Sequence, residues 1–307
     1  MILVAGIPTE PPLADVIDAL HDRGADVIVL NQRQFDNIDM SFVIDDAGNP
    51  DGLLNIGRAS WLLHDIQSVY IRLMDDRRLP ELANEPGHSP RRARCRALHD
   101  TLVSWTDITP SRVINRTAAM ATNASKPFQA QLITTHGFET PETVITNDPD
   151  VAREFCATHP RVVFKSISGV RSIVREITAA DIARLDQIRF CPVQFQEHVD
   201  GVDVRVHVVG AEVFASEIAS QAVDYRYAVS QTDSPATMQP IELPPDLADR
   251  CVTLTAALGL EFSGIDLSLT QDGRTVCFEV NPSPGYTYFE AHTRQPIAAA
   301  VARLLDT

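Results

Sequence analysis

The sequence predicts a mixed α/β protein built from two or three structural units. The first observation is a strand–helix–strand pattern at the N-terminus, and the second is a series of antiparallel strand pairs in the second half. The third is size, because 307 residues with 44% hydrophobic content can bury a sizeable core. We expect an N-terminal α/β domain over 1–114, a central unit over 115–190 and a C-terminal unit over 191–307.

The N-terminal domain begins with a short apolar strand over residues 1–5. A helix follows and ends at Gly24, before a second strand over 26–30. The helix is predicted from apolar residues that recur at helical spacing, namely Leu13, Val16, Ile17 and Leu20. A further strand is expected over 68–73.

A charged stretch over 75–96 comes next and carries several prolines. Four arginines lie close together in it: Arg91, Arg92, Arg94 and Arg96. We interpret the stretch as a loop that enters a helix with an apolar stripe of Leu98, Leu102 and Trp105. Such an arginine cluster is typical of a solvated helix face, and the alternative is a docking patch for an acidic peptide. Residues 109–115 are expected to be the linker out of this domain.

The central unit is predicted to begin with a helix over 125–136, with Ser125 as its N-cap and Gly137 at its end. An apolar strand over 162–165 then ends in a lysine, and a polar loop leads to a second strand over 173–177. Because an unpaired buried ammonium group is costly, Lys165 needs an anionic partner.

Two strands are expected over 193–199 and 201–210. In the second of them, three alternating valines face one way while Arg205 and His207 face the other. Arg205 therefore lies on the cleft side if the valines pack inward, and His207 is best explained as a satisfied, half-buried histidine. The chain is completed by a return strand over 213–222, a helix over 244–258 and a closing helix over 295–305.

The most informative pattern is a pair of strands around Asp272-Gly273, a dipeptide typical of a type I′ hairpin turn. A turn centred on this dipeptide fixes how the two strands pair, because side chains alternate between the two faces. Three apolar pairs then share one face: Ile265 with Val280, Leu267 with Phe278 and Leu269 with Val276.

The opposite face of the same hairpin pairs Asp266 with Glu279 and Gly264 with Asn281. Directly opposed side chains have Cβ atoms about 5 Å apart, so two carboxylates there repel unless a cation lies between them. Two carboxylates and an amide oxygen are ligands of the kind that Mg²⁺ takes. The alternative is a solvated polar face on an edge hairpin.

A rigid segment with the sequence Asn-Pro-Ser-Pro-Gly-Tyr, residues 281–286, follows this face directly; we name it the proline turn. The run Phe278–Gly285, preceded by Gly264-Ile265-Asp266, resembles the metal-binding end of the ATP-grasp ligases. The resemblance extends over about residues 112–290. It is greatest to the branch with RimK-type glutamate ligases, bacterial glutathione synthetases and the ligases that macrocyclise ribosomal peptides such as microviridins.

The resemblance implies an ATP-grasp fold of the α+β class, in which residues 1–114 form a pre-ATP-grasp domain. Residues 115–190 would form the lid subdomain, and residues 191–307 the subdomain that carries the metal site. The implied cofactors are ATP and two Mg²⁺ ions, which Mn²⁺ can replace. The implied metal ligands are Asp266, Glu279 and Asn281.

Nucleotide contacts follow from the same resemblance. The implied phosphate-binding residues are Lys126, Lys165, Ser166 and Gly169. The implied hinge, whose backbone would pair with the adenine edge, is Gln196, Glu197, His198 and Val199. Asp203 would hold the ribose, Arg205 would grip the acyl phosphate, and Arg226 would contact phosphate or substrate. A surface ion pair is the alternative for Arg226, and Arg72 is a possible substrate contact.

The implied reaction is ATP-dependent ligation of a carboxylate to an amine or hydroxyl through an acyl phosphate. We expect an enzyme that modifies a peptide or protein tail. The alternatives are a small-molecule ligase of the glutathione-synthetase type and a nucleotide-binding protein without turnover. The chain contains neither a Gly-x-Ser-x-Gly motif nor a P-loop motif, which argues against an esterase or a P-loop NTPase.

Composition narrows the partners. A formal net charge of −15 argues against nucleic-acid binding, which needs a basic surface. No apolar run is long enough to span a membrane and no secretory signal is present, so we expect a cytoplasmic protein without membrane attachment. Five widely spaced cysteines indicate reduced thiols. The partner we expect is a peptide or amino-acid substrate, and a homo-oligomer is compatible with the sequence.

Overall fold

The N-terminal part of the protein is built on a sheet of four parallel strands. The structure, a computed structural model, describes residues 1–166, 174–220 and 234–307. The strands lie in the order β2-β1-β6-β7, with bounds β1 Ile2–Gly6, β2 Val27–Asn31, β6 Ser68–Arg72 and β7 Arg112–Ile114. Helix α1, Pro11–Asp22, buries its predicted apolar stripe against this sheet.

A second, antiparallel sheet of three strands was not predicted from the sequence. Its strands are β3 Ile38–Ile44, β4 Pro50–Ile56 and β5 Ala59–Leu62, in that order. Helix α2, Pro90–Ile108, contains the arginine cluster in its first turns. Leu102 and Trp105 of this helix pack on the first sheet, as the apolar stripe predicted.

The segment over 109–115 was predicted to be a linker, and this prediction was wrong. Its residues 112–114 form β7, the edge strand of the parallel sheet, which pairs with β6. The segment is short and apolar, so its pairing with β6 depends on the rest of the sheet being in place. Asn115, directly after β7, is 3% exposed.

The central part contains an antiparallel sheet in the order β10-β9-β11-β8. Two short helices lead into it: α3, Thr117–Met120, and α4, Lys126–Thr135. Ser125 stands at the N-cap position of α4, but its side chain makes no capping hydrogen bond, contrary to prediction. The remaining elements are β8 Thr143–Thr146, α5 Pro149–Thr158, β9 Val162–Ser166, β10 Arg175–Glu176, α6 Ala179–Ile182 and β11 Val193–Glu197.

The C-terminal part is built on a five-stranded antiparallel sheet in the order β14-β13-β12-β15-β16. The strands are β12 Gly201–Val209, β13 Glu212–Ala219, β14 Thr237–Ile241, β15 Phe262–Thr270 and β16 Thr275–Asn281. Helix α7, Pro245–Ala257, matches the helix predicted over 244–258 and packs behind β15 and β16. Helices α8, Thr287–Thr293, and α9, Ile297–Leu305, close the chain, and α9 packs against α1.

The hairpin of β15 and β16 differs from prediction at its turn. Gly273 alone in the loop has a positive φ, +89°, and its amide donates to Thr270. The loop therefore has three residues, Gln271–Gly273, instead of the predicted two-residue type I′ turn. The strand ends consequently pair Leu269 with Thr275, not with Val276.

A β-bulge then restores the predicted register before the polar residues are reached. Leu267 lies opposite Cys277 instead of Phe278, and the register shifts between Asp266 and Leu267. Beyond the bulge, Asp266 lies opposite Glu279, as predicted. The two departures offset each other, because the longer loop shifts the register by one residue and the bulge shifts it back.

All five cysteines are free thiols, in agreement with the reduced state expected from the sequence. None of the helices in the described ranges is long and apolar enough to cross a membrane.

Candidate active site

The polar face of the C-terminal sheet carries the predicted site residues in rows that run across its strands. Arg205 of β12 lies opposite Asp266 of β15, which lies opposite Glu279 of β16. In the next row, His207, Gly264 and Asn281 are aligned in the same way. Because alternate residues of a strand share a face, both rows point to the same side. The valines of β12 pack on the other side, as predicted.

Arg205 is buried and held from several directions. Its Nη1 donates to Asp266 Oδ1 at 2.7 Å, and its Cζ lies 5.8 Å from the centre of the Phe289 ring. Gly264 leaves the room that the guanidinium occupies, because a Cβ added there would lie 2.1 Å from Arg205 Nη2. The backbone therefore approaches this arginine more closely than any other residue type would allow.

His207 is fully buried, so the prediction of a satisfied, half-buried histidine was wrong. Its Nε2 accepts from Arg205 Nε at 3.4 Å, whereas Nδ1 has no hydrogen-bond partner among the described residues. Burial, and then the charge of Arg205, lowers the pKa of His207 well below its usual value. The imidazole is consequently neutral and can act as an acceptor for the arginine.

Glu279 is held by a lysine from the neighbouring helix. Lys126, the first residue of α4, forms an ion pair with Glu279 Oε2. Burial is the largest single influence and opposes ionisation of this carboxyl group. The charge and hydrogen bond of Lys126, together with the charges of Lys165 and Arg205, outweigh burial, so the pKa of Glu279 is lowered. The repulsion expected between Asp266 and Glu279 is thus offset by basic side chains on both sides.

Gln129 fixes the position of this helix against the sheet, and sequence reasoning missed it. Its Nε2 donates to the Val280 carbonyl at 2.8 Å, and its Oε1 accepts from the Val280 amide at 3.0 Å. Both groups are buried, and the side chain pairs with edge strand β16 as a further strand would. The sequence pattern that could have identified Gln129 is its spacing, since it follows Lys126 by about one helical turn and therefore lies on the same face of the helix.

The proline turn is fastened to the N-terminal sheet by two side chains. Arg72, at the end of β6, donates from Nη1 to Ser283 Oγ at 3.0 Å and to the Pro284 carbonyl at 3.1 Å. Asn115 donates to the Pro282 carbonyl at 2.6 Å and to the Phe262 carbonyl at the same distance. No local sequence pattern predicts these long-range contacts.

The predicted hinge lies where the central sheet meets the C-terminal one. The Glu197 carboxylate accepts from the Glu142 amide and from Arg274 Nη2, both at 3.1 Å. Arg274 belongs to the hairpin of β15 and β16 and also contacts Glu139 at 2.8 Å. Gln196 donates to Thr143 Oγ1 at 2.9 Å. His198 and Val199 are half-buried in the link between β11 and β12.

The remaining predicted residues are distributed as follows. Asp203 of β12 is half-buried and lies two residues before Arg205 on the same face, opposite Ser268. Lys165 and Ser166 end β9. Gly169 and Arg226 lie outside the described residues, so their predicted roles stay predictions.

The arginine cluster on α2 is engaged within the chain. Arg91 pairs with Asp36 at 2.7 Å, Arg94 with Asp39 at 3.1 Å and Arg96 with Asp76 at 2.6 Å. Arg92 donates to the backbone carbonyl of Glu85 at 3.0 Å. The cluster thus fastens the 75–89 loop and the 3-10 turn Gln32–Asn37, which follows β2, to the helix. This favours a structural role over peptide docking.

The donor set fits a hard divalent cation. Asp266 and Glu279 face each other from adjacent strands, and Asn281 lies one row away on the same face. The groups that neutralise the two carboxylates, Lys126 and Arg205, are side chains that a cation could replace as partners. Among the described residues no group of three or more His, Cys, Asp or Glu side chains could hold a metal ion. The protein ligands of such a cation would be the two carboxylates and the Asn281 amide oxygen, with water or phosphate oxygens completing the set.

Comparison with known proteins assigns the family. Residues 123–305, more than half of the chain, match the family model described as a RimK-like ATP-grasp domain. The chain belongs to this family. A probable alpha-L-glutamate ligase from Alkalilimnicola ehrlichii is 26% identical to this RimK-like protein over 204 residues. The match covers 63% of this chain and 66% of the relative, just under two thirds of its length.

Two solved structures are similar to the RimK-like protein over 99% of its chain. One is the ATP-grasp ligase PsnB, complexed with a minimal precursor, Mg and ADP, with a TM-score of 0.79, 26% identity and 96% of that chain covered. The other is the macrocyclase MdnC from Microcystis aeruginosa MRC, bound with the precursor peptide MdnA, with a TM-score of 0.80, 22% identity and 99% of that chain covered. The ATP-grasp fold predicted from the sequence is therefore confirmed.

Proposed function

We propose that this RimK-like protein is an ATP-dependent ligase that joins a carboxylate to an amine or hydroxyl on a peptide. The observation that carries the proposal is the row Arg205–Asp266–Glu279, flanked by Lys126, on an ATP-grasp fold. This arrangement concentrates cations and metal ligands where the phosphates of a nucleotide would lie. It contains no serine, threonine or cysteine nucleophile, and the proposed chemistry needs none.

In the proposed reaction, an oxygen of the substrate carboxylate forms a bond to the γ-phosphorus of ATP while the bond from that phosphorus to ADP breaks. The product of this step is an acyl phosphate. The amine or hydroxyl then bonds to the acyl carbon, phosphate leaves with the shared electron pair, and a proton is released to solvent. The protein contributes positioning and charge neutralisation to both steps.

Each side chain has a separate task in this proposal. Arg205 grips the acyl phosphate, and Lys126 and Lys165 bind phosphate oxygens, so that Lys126 exchanges its present contact with Glu279 for the nucleotide. Two Mg²⁺ ions, or Mn²⁺ in their place, would be held by Asp266, Glu279 and Asn281 and would offset the charge on the transferred phosphoryl group.

The adenosine end of the nucleotide would lie towards the hinge. We propose that the backbone of residues 196–199 pairs with the adenine edge and that Asp203 holds the ribose. The support is position: Asp203 shares the face of Arg205 two residues away, and the hinge directly precedes β12.

Product analysis tests the reaction class. Purified protein with ATP, Mg²⁺ and an acidic peptide should release ADP and phosphate in step with loss of water from the peptide. Mass spectrometry detects the loss of one water for each amide or ester formed within the peptide. Release of AMP and pyrophosphate would contradict the acyl-phosphate route.

A small-molecule ligase is the second candidate, supported by the name of the relative from Alkalilimnicola ehrlichii. The solved structure of PsnB, complexed with a minimal precursor, matches this chain at 26% identity over nearly the whole of both chains, which favours a peptide substrate. Turnover with free glutamate or dipeptides, and none with any peptide, would favour the second candidate.

A further inference from the structure

Arg72 lies at the carboxyl end of β6 and is almost fully enclosed, with its side chain 11% exposed. Its two terminal nitrogens are both engaged. One donates to Ser283 Oγ and to the Pro284 carbonyl, and the other donates to Glu10 Oε1 at 2.8 Å. The guanidinium therefore joins the N-terminal sheet to the proline turn, over more than 200 residues of sequence.

A short chain of hydrogen bonds continues from Arg72 to the metal-binding face. The Ser283 side chain accepts from Arg72, and the Ser283 amide donates to Asn281 Oδ1 at 2.9 Å. The second anchor acts on the residue between them, because Asn115 donates to the Pro282 carbonyl. Two contacts from the N-terminal sheet thus fix the turn on either side of Ser283, and the turn fixes the amide oxygen of Asn281.

We propose that Arg72 is a positioning residue for the metal site, acting through Ser283 on Asn281. This inference rests on the proposed function, in which Asn281 supplies a ligand oxygen. Mg²⁺ demands near-ideal geometry from few ligands, so an amide that can rotate binds it poorly. Side chains that orient metal ligands from behind contribute about 10–100-fold to metal affinity. Without Arg72, the Ser283 hydroxyl and the Pro284 carbonyl lose their donor, and the turn keeps its contacts at Pro282, from Asn115, and at Tyr286, whose hydroxyl donates to the Pro12 carbonyl.

The structure distinguishes this role from a direct substrate contact, which the sequence suggested for Arg72. The hydrogen-bonding capacity of Nη1 and Nη2 is directed at Ser283, Pro284 and Glu10. If Arg72 acts through the turn, removing only the Ser283 hydroxyl should reproduce part of the effect of removing Arg72. A substrate-binding arginine would show no such dependence on Ser283.

The test compares Arg72→Met, Ser283→Ala and the double variant in the full-length protein. The probe is Mn²⁺ in the presence of saturating ADP, with free Mn²⁺ measured by electron paramagnetic resonance. Affinity for ADP in EDTA is measured in parallel, because a positioning effect on the metal site should leave it unchanged. Arg23→Met is the matched control, since Arg23 also joins the N-terminal part to the chain end, through Asp306 at 2.8 Å, but far in sequence from the turn.

We expect Mn²⁺ affinity to fall about tenfold in Arg72→Met and about threefold in Ser283→Ala. The double variant should be no weaker than Arg72→Met alone, since both changes break the same chain of contacts. Arg72→Lys should recover part of the affinity, and Arg23→Met should bind as the unmodified protein does.

Two results would overturn the inference. Unchanged Mn²⁺ affinity in Arg72→Met, together with a raised KM for the peptide, would make Arg72 a substrate contact. Additive losses in the double variant would show that the two residues act separately. The variant Asp266→Asn distinguishes failure of this inference from failure of the proposed function. If Asp266→Asn also keeps its Mn²⁺ affinity, the metal binds elsewhere, and the proposed function and the inference are both wrong.

Discussion

The substitution Gly264→Ala would test whether the close packing around Arg205 is essential. The added Cβ would lie 2.1 Å from Arg205 Nη2, 2.6 Å from its Cζ and 2.8 Å from Pro284 Cβ. Contacts this short do not persist, so a neighbour has to move. Pro284 belongs to a rigid turn that Arg72 holds in place. Arg205 is therefore the group that is displaced.

The expected loss of stability follows from the contacts that Arg205 would lose. Its side chain is 6% exposed and donates to Asp266 at 2.7 Å. Overpacking of a filled site costs about 1–3 kcal/mol, and a hydrogen bond to a charged group contributes about 1.5–3 kcal/mol. We therefore expect the free energy of unfolding to fall by about 2.5–6 kcal/mol. Loss of a positioned cation should lower kcat about 100-fold or more.

Urea unfolding of the protein without ligands and the rate of ADP release with a peptide would measure both effects. Gly87→Ala is the matched control, because a Cβ at Gly87 meets no atom within 4 Å. Combined with Arg205→Ala, the Gly264→Ala change should cost much less stability, since only the contact with Pro284 remains. Wild-type stability and turnover in Gly264→Ala would refute the assigned position of Arg205.

Three further predictions follow from the contacts of the site. Asp266→Asn should abolish ATP turnover and lower the free energy of unfolding of the ligand-free protein by about 1.5–3 kcal/mol, because its arginine partner is buried. Glu279→Gln should also abolish turnover, with a smaller loss of stability. Unchanged thermal unfolding in both variants would contradict this prediction. Gln129→Leu should lower the free energy of unfolding in urea by about 2–4 kcal/mol, since it leaves two buried backbone groups of Val280 without partners. A loss below about 0.5 kcal/mol would contradict this. Changing Arg91, Arg92 and Arg94 together to serine should lower the urea midpoint of unfolding at both low and high salt, because all three bind backbone carbonyls of neighbouring segments. Full stability together with a salt-sensitive rise in the KM for the peptide would instead support the docking hypothesis.

The sequence by itself determined the elements whose signals are local. The helical spacing of Leu13 to Leu20 predicted α1, and alternation along β12 predicted that Arg205 faces away from the valine core. The pairing of Asp266 with Glu279 was also predicted correctly, although the turn behind it was not. Alternation constrains register strongly where one face is buried, so the bulge had to restore the pairing that keeps Ile265 and Val280 in the core.

Tertiary structure alone decided how the site is held together. Arg72, Asn115 and Gln129 each contact a segment more than 140 residues away, and no spacing rule connects positions that far apart in sequence. The strand after residue 111 was mistaken for a linker because its three residues form a strand only through pairing with β6. Local patterns specify which face a side chain takes, whereas its partners across the fold depend on packing between elements, which a sequence read in short windows does not contain.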